Sequence, residues 1–169
     1  MKELLITGAW RCGEQQVQAL EQMGYAVTFW PDERQAVNMD TQRFEAVICG
    51  GLFLTTPIER FPALKCIQVT SAGLDRVPLD YCKAHGITVY NAGGVYSAPM
   101  AEFVLGGILQ LYKESKFFAE NQAAHRWEKH RGLRELSGKT ACIIGTGSVG
   151  SAICLLYTSP SPRDKRQSR

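Results

Sequence analysis

The residues best suited to chemistry stand late in the chain. Gly145-Thr146-Gly147-Ser148-Val149-Gly150 is a G-x-G-x-x-G turn directly after the apolar run Thr140-Ala141-Cys142-Ile143-Ile144. Each glycine answers a separate demand. Gly145 permits a tight turn out of a strand, Gly147 lets the backbone approach a pyrophosphate, and Gly150 allows close packing of helix on strand. Free backbone N–H groups over Ser148, Val149 and Gly150, at the start of the following helix, then face phosphate charge. The strand before the turn, and Ser151-Ala152-Ile153 ready to open a helix after it, supply the context a dinucleotide-binding turn needs. No Gly-Lys-Ser/Thr closes the loop, so it is not a P-loop. The acid expected to hold the ribose stands about 20 positions further on, which leaves NAD and NADP both open.

Other reactive side chains are less organised. His85 ends a helical pattern at Lys83-Ala84-His85-Gly86, where a polar or cationic group suits the helix dipole. His125 and His130 flank Trp127 at a spacing of five, which does not share a helical face, so no metal site is expected. The six cysteines, at 12, 49, 66, 82, 142 and 154, form no CxxC pair and sit mostly in apolar stretches. Reduced, buried thiols in a cytoplasmic protein are the expected reading.

The elements that position the turn alternate along the first hundred residues. Leu4–Thr7, Tyr25–Trp30, Ala46–Cys49, Cys66–Thr70 and Ile87–Tyr90 read as strands. Glu14–Met23, a short segment after Pro31, and Leu79–His85 read as helices, with Gly24 and Gly86 as stops. Five strands separated by helices predict an α/β fold, a flavodoxin-like parallel sheet with helices on both faces. Met100–Lys116 is apolar nearly all round and predicts a helix buried between layers or domains. Glu120–Leu133 reads as a polar connector, and Thr140–Ile144 as a sixth strand that begins a Rossmann unit.

Composition excludes several classes. Hydrophobic residues make up 45% and charged residues 21%, ordinary for a soluble domain, and the net charge of +3 comes largely from the last residues. This gives no electrostatic case for nucleic acid or membrane binding. No apolar run is long enough to span a bilayer, and Met1–Ile6 enters a strand pattern rather than a signal peptide.

Three segments, in order, resemble the D-isomer-specific 2-hydroxyacid dehydrogenases, which include phosphoglycerate, glycerate and formate dehydrogenases. They are Val69-Thr70-Ser71-Ala72-Gly73-Leu74-Asp75 with Val77-Pro78; Gly86–Asn91 running through Ser97-Ala98-Pro99-Met100-Ala101-Glu102; and Glu135–Thr140 leading into the glycine turn. The resemblance implies an NAD(P)-dependent oxidoreductase of 2-hydroxy or 2-oxo acids, a small-molecule enzyme whose parent is a homodimer. It implies that Ala72 and Gly73 offer backbone N–H groups to a substrate carboxylate, that Tyr96 lines the substrate pocket, and that Met100 touches the nicotinamide side of the cofactor. Glu102 matches a structural acid at a helix start. Where the family often has Asn-x-Pro-Gly, this chain has Asn91-Ala92-Gly93-Gly94.

The Arg, acid and His that such enzymes use for proton transfer lie downstream of the glycine turn, so no catalytic residue is assigned and the chain alone is expected to be inactive. The expected organisation is a substrate domain over 1–100, a linking helix and the start of an NAD(P)-binding domain over 101–153, and a foreign tail over 154–169. That tail resembles a translated sequencing adapter, and from Cys154 onward it is expected not to continue the cofactor helix, with Pro160 and Pro162 as helix stops. The alternative function is a non-catalytic binding or corepressor-type protein on the same fold.

Overall fold

A computed structural model describes residues 1–157 of the chain. It divides into two compact units, one from Met1 to Gly93 and the other from Gly94 onward.

The first unit is a five-stranded sheet: β1 (Lys2–Thr7), β2 (Tyr25–Trp30), β3 (Ala46–Cys49), β4 (Cys66–Val69) and β5 (Thr88–Tyr90). The spatial order is β2-β1-β3-β4-β5 and every pairing is parallel. This is the doubly wound order expected from the sequence, with the switch point between β1 and β3. Strand alternation splits the core in two. Leu5, Val47, Cys49, Ile67 and Val69 point to one face, where Phe44, Leu52, Phe61 and Cys82 complete the larger cluster. Leu4, Ile6 and Ala46 point to the other, against Leu20 of helix α1 (Glu14–Gln22).

The connections depart from expectation in one place. No helix forms after Pro31; residues 31–45 cross as irregular chain and turns. Arg34 donates to Asp32 from its backbone N–H and its guanidinium, a local turn that competes with helix. Val37 and Phe44 still reach the core from this loop. β3 and β4 are joined by two short 3₁₀ turns, Leu52–Leu54 and Ile58–Arg60. Helix α2 (Leu79–Ala84) leads to β5. Gly86, at φ +67°, ends α2 while Ile87 N–H donates back to Cys82 at 2.8 Å, so helix and strand meet in a closed cap. His85 stacks on Tyr81 with ring centroids 3.8 Å apart, at the helix end expected for it.

The second unit contains α3 (Ser97–Tyr112), α4 (Ser115–Ala123) and α5 (Ser148–Tyr157). The single helix expected over Met100–Lys116 is two, because Glu114 takes a left-handed backbone at φ 48°. The polar connector begins later than expected, since Glu120 lies within α4. α3 packs against α4 and α5, yet only Ala101 is buried, and Phe103 is 82% exposed. Its expected burial is therefore not met within the described residues. Residues 140–144 form no strand: they run without a ladder partner, and Ile144 and Cys142 are exposed. The expected helix stop at 154 is also corrected. Leu155 and Leu156 are good helix formers and α5 continues through Tyr157, while residues 158–169 lie outside the described residues.

Candidate active site

In the first unit the carboxyl ends of the strands form one edge, where doubly wound sheets place their ligands. The loop after β4 is built to point its N–H groups outward. Ser71 O accepts from Ala92 N–H at 3.0 Å, and Ala72 O accepts from Asn91 Nδ2 at 2.7 Å. Gly73 O accepts from the Ser71 hydroxyl at 2.9 Å. All three carbonyls are thus tied back, while the N–H groups of Ala72 and Gly73 donate to no protein acceptor among the described residues, and both residues are exposed. Two adjacent outward donors suit a carboxylate, since charge-assisted hydrogen bonds are the stronger kind.

The beginning of β5's loop holds this arrangement. Asn91 Oδ1 also accepts from Gly93 N–H at 3.2 Å, so one side chain joins the β4 loop to its own turn. The sequence reading gave Asn91 no role. Its signal was present: an asparagine closing a strand is a ready side-chain to backbone hydrogen bonder. Glu33, which bonds both N–H groups of Gly50 and Gly51 at 2.8 and 2.6 Å, was missed as well. No local pattern marks it, because its partners stand 17 and 18 residues away.

In the second unit, Tyr96 and Met100 both lie at the start of α3, joined by the bond from Met100 N–H to Tyr96 O at 3.0 Å. Both are about half exposed. The glycine turn has the shape its spacing demands. Gly145 takes φ +97°. A Cβ on Gly150 would meet Gly145 O at 2.1 Å, whereas one on Gly147 would meet nothing within 4 Å. The first bond of α5 runs from Ser151 N–H to Gly147 O at 2.9 Å, so the N–H groups of Ser148, Val149 and Gly150 precede the helical ladder. These features fit a dinucleotide pyrophosphate: open backbone at Gly147, and helix-start donors beside it. A cleft of about 600 Å³ bounded by Phe118, Asn121, Trp127 and His130 includes none of these residues. His130 instead faces Glu114 at 3.0 Å.

Residues 5–158 match the family described as D-isomer specific 2-hydroxyacid dehydrogenase, catalytic domain. The chain belongs to this family. Among similar dehydrogenases and reductases of known sequence, a glyoxylate/hydroxypyruvate reductase of Arabidopsis thaliana is 30% identical over 111 residues, covering 63% of this chain and 34% of its own. The D-3-phosphoglycerate dehydrogenase of Haemophilus influenzae is 36% identical over 105 residues, covering 60% of this chain and 25% of its own. The D-lactate dehydrogenase of Aquifex aeolicus, solved with NAD and lactic acid, superimposes with a TM-score of 0.71 at 22% identity, over 92% of this chain and 48% of that one. The NADPH-dependent glyoxylate/hydroxypyruvate reductase of Sinorhizobium meliloti, solved with NADP and malonate, gives 0.70 at 22%, over 94% and 50%. This chain therefore spans between a quarter and half the length of these family members, and the parallel α/β fold is theirs.

Proposed function

We propose that the protein to which this chain belongs oxidises a D-2-hydroxy acid, or reduces the 2-oxo acid, with NAD or NADP. The observation that carries the reading is the pair of outward N–H groups at Ala72 and Gly73, with the carbonyls of Ser71, Ala72 and Gly73 tied back. Family membership and the pyrophosphate-shaped turn at Gly145–Gly150 support it. In this reading residues 1–100 are the substrate domain, and 101–153 carry the linking helix and the start of the nucleotide-binding domain. Ala72 and Gly73 hold the substrate carboxylate and fix which carbon faces the cofactor. Tyr96 lines the substrate pocket and Met100 lies on the nicotinamide side. Gly145, Gly147, Ser148, Val149 and Gly150 hold the pyrophosphate. The nicotinamide, when bound, supplies or accepts the hydride.

No histidine of this chain is assigned to proton transfer. His85 stacks on Tyr81 and His130 pairs with Glu114. We place the proton-transfer groups in the part of the family fold that these 169 residues do not span, and the chain alone in an inactive, binding-only state. We also place the parent in the cytoplasm as a homodimer. Apolar side chains of α3 such as Phe103 and Leu111, 82% and 73% exposed, supply surface that such assembly would cover.

The test is a titration of the purified chain with oxalate, a compact mimic of a 2-oxo acid, followed by amide NMR. Shifts at Ala72 and Gly73 are expected. Shifts elsewhere only, or none, would discard the carboxylate site. Hydride transfer by the purified chain would discard its inactivity.

A further inference from the structure

Glu33 stands in the loop after β2, outside every role assigned so far. Its side chain reaches across the carboxyl edge of the sheet to the turn after β3. Gly50 N–H donates to Oε1 at 2.8 Å and Gly51 N–H to Oε2 at 2.6 Å. The buried Thr7 hydroxyl, at the end of β1, donates to Oε1 as well. The backbone of Glu33 is held too, because Thr55 Oγ1 donates to its carbonyl at 2.6 Å. One residue thus joins the ends of β1, β2 and β3.

The turn it grips is the neighbour of the candidate carboxylate loop. A Cβ on Gly50 would meet Thr70 Oγ1 at 3.2 Å, and one on Gly51 would meet the Arg76 side chain at 3.8 Å. Thr70 N–H donates to Cys49 O at 2.9 Å. Thr70 directly precedes Ser71–Gly73, so the chain leading into the gripped turn is tied to the start of that loop. Asn91 holds the same loop from the opposite side.

We propose that Glu33 is a positioning residue for substrate binding, fixing the Gly50–Gly51 turn so that the Ala72 and Gly73 N–H groups are held aimed at the carboxylate; this rests on the carboxylate-site reading above. The chemistry of the grip is specific to an acid. Two N–H groups and a hydroxyl converge on two oxygens, and a carboxylate is acceptor-only. An amide of the same shape would turn its NH₂ against one of these donors.

The experiment uses the 169-residue chain with oxalate as the probe, comparing wild type with Glu33→Gln. Expected is oxalate binding about tenfold weaker in the variant, as for loss of a hydrogen bond to a charged group. Amide exchange should also accelerate at Thr70 and Ala92, one loop away, with Leu5, Val47 and Ile67 in the core unchanged. Undiminished oxalate binding, or exchange raised equally across the sheet, would overturn the inference and leave the carboxylate site standing. A wild-type chain whose Ala72 and Gly73 signals ignore oxalate would overturn the site itself, and this inference with it. If Glu33→Gln does not fold, Thr7→Val removes one donor from the same carboxylate at constant shape. It should weaken oxalate binding by a smaller factor with the same local exchange signature, and wild-type behaviour would overturn the proposal.

Discussion

The Cα hydrogen of Gly150 faces the carbonyl of Gly145 so closely that a Cβ there would lie 2.1 Å from the oxygen. Helix α5 can leave the turn at its observed angle only because residue 150 has no side chain. Gly147 is different: a Cβ on it meets nothing within 4 Å. Gly150→Ala is therefore expected to distort the turn and destabilise α5. Gly147→Ala is expected to leave thermal stability unchanged or raise it by up to about 1 kcal/mol, through the unfolded state. Both should lose affinity for the dinucleotide. Thermal melts with an NADH fluorescence titration check this, and a Gly150→Ala chain that melts and binds like wild type would count against the turn.

Asn91 ties the β4 loop from one side. Asn91→Ala removes the bond to Ala72 O and the bond from Gly93 N–H. Both are exposed, so the expected loss of stability is small, about 0.5–1.5 kcal/mol. The larger effect should be on oxalate affinity, since Ala72 and its neighbour Gly73 lose their fixed direction. Calorimetry beside a urea melt separates the two.

Cys49 and Cys142 should differ sharply toward thiol reagents. Burial, and then the negative charge of Glu33, push the Cys49 thiol up to about 12, whereas Cys142 is exposed. At pH 8 iodoacetamide should label Cys142 at once and Cys49 only after unfolding. The sign of the pH effect follows. The folded value lies above the unfolded one of about 8.5, so the neutral thiol stabilises the fold fully below that pH. The contribution disappears as pH rises toward 12. Cys49→Ala should flatten the alkaline limb of a stability profile, and an unchanged limb would exclude Cys49 as its source.

Two phenylalanines test where the core ends. Phe44 is fully buried in the larger cluster, and Phe44→Ala is expected to cost about 3–5 kcal/mol. Phe103, 82% exposed on α3, should change stability by no more than about 0.5 kcal/mol when replaced by alanine. Denaturant melts decide both, and a large loss at Phe103 would show that α3 is covered in solution.

Much of the fold is legible in the sequence. Leu4-Leu5-Ile6, Ala46-Val47-Ile48 and Cys66-Ile67 are short runs apolar on consecutive positions, as strands covered on both faces are. Gly24 and Gly86 mark helix ends because a left-handed backbone favours glycine at those points. The glycine turn carried its own geometry for the same reason, since its demands are steric and local.

What the sequence by itself determined is the parallel α/β order and the shape of the Gly145–Gly150 turn; Ala72-Gly73 became a candidate through the family resemblance. Tertiary structure alone decided the rest. Residues 140–144 are apolar enough for a strand but lack a ladder to join, and a strand is a property of a pair. The stretch after Pro31 gave up its helix to a local turn while Val37 and Phe44 were drawn into the core. Glu33 reads in sequence as one more surface acid. It becomes a clamp only when parallel strands bring Thr7, Gly50 and Gly51 to the same edge, because hydrogen bonds depend on position in space and not on separation along the chain.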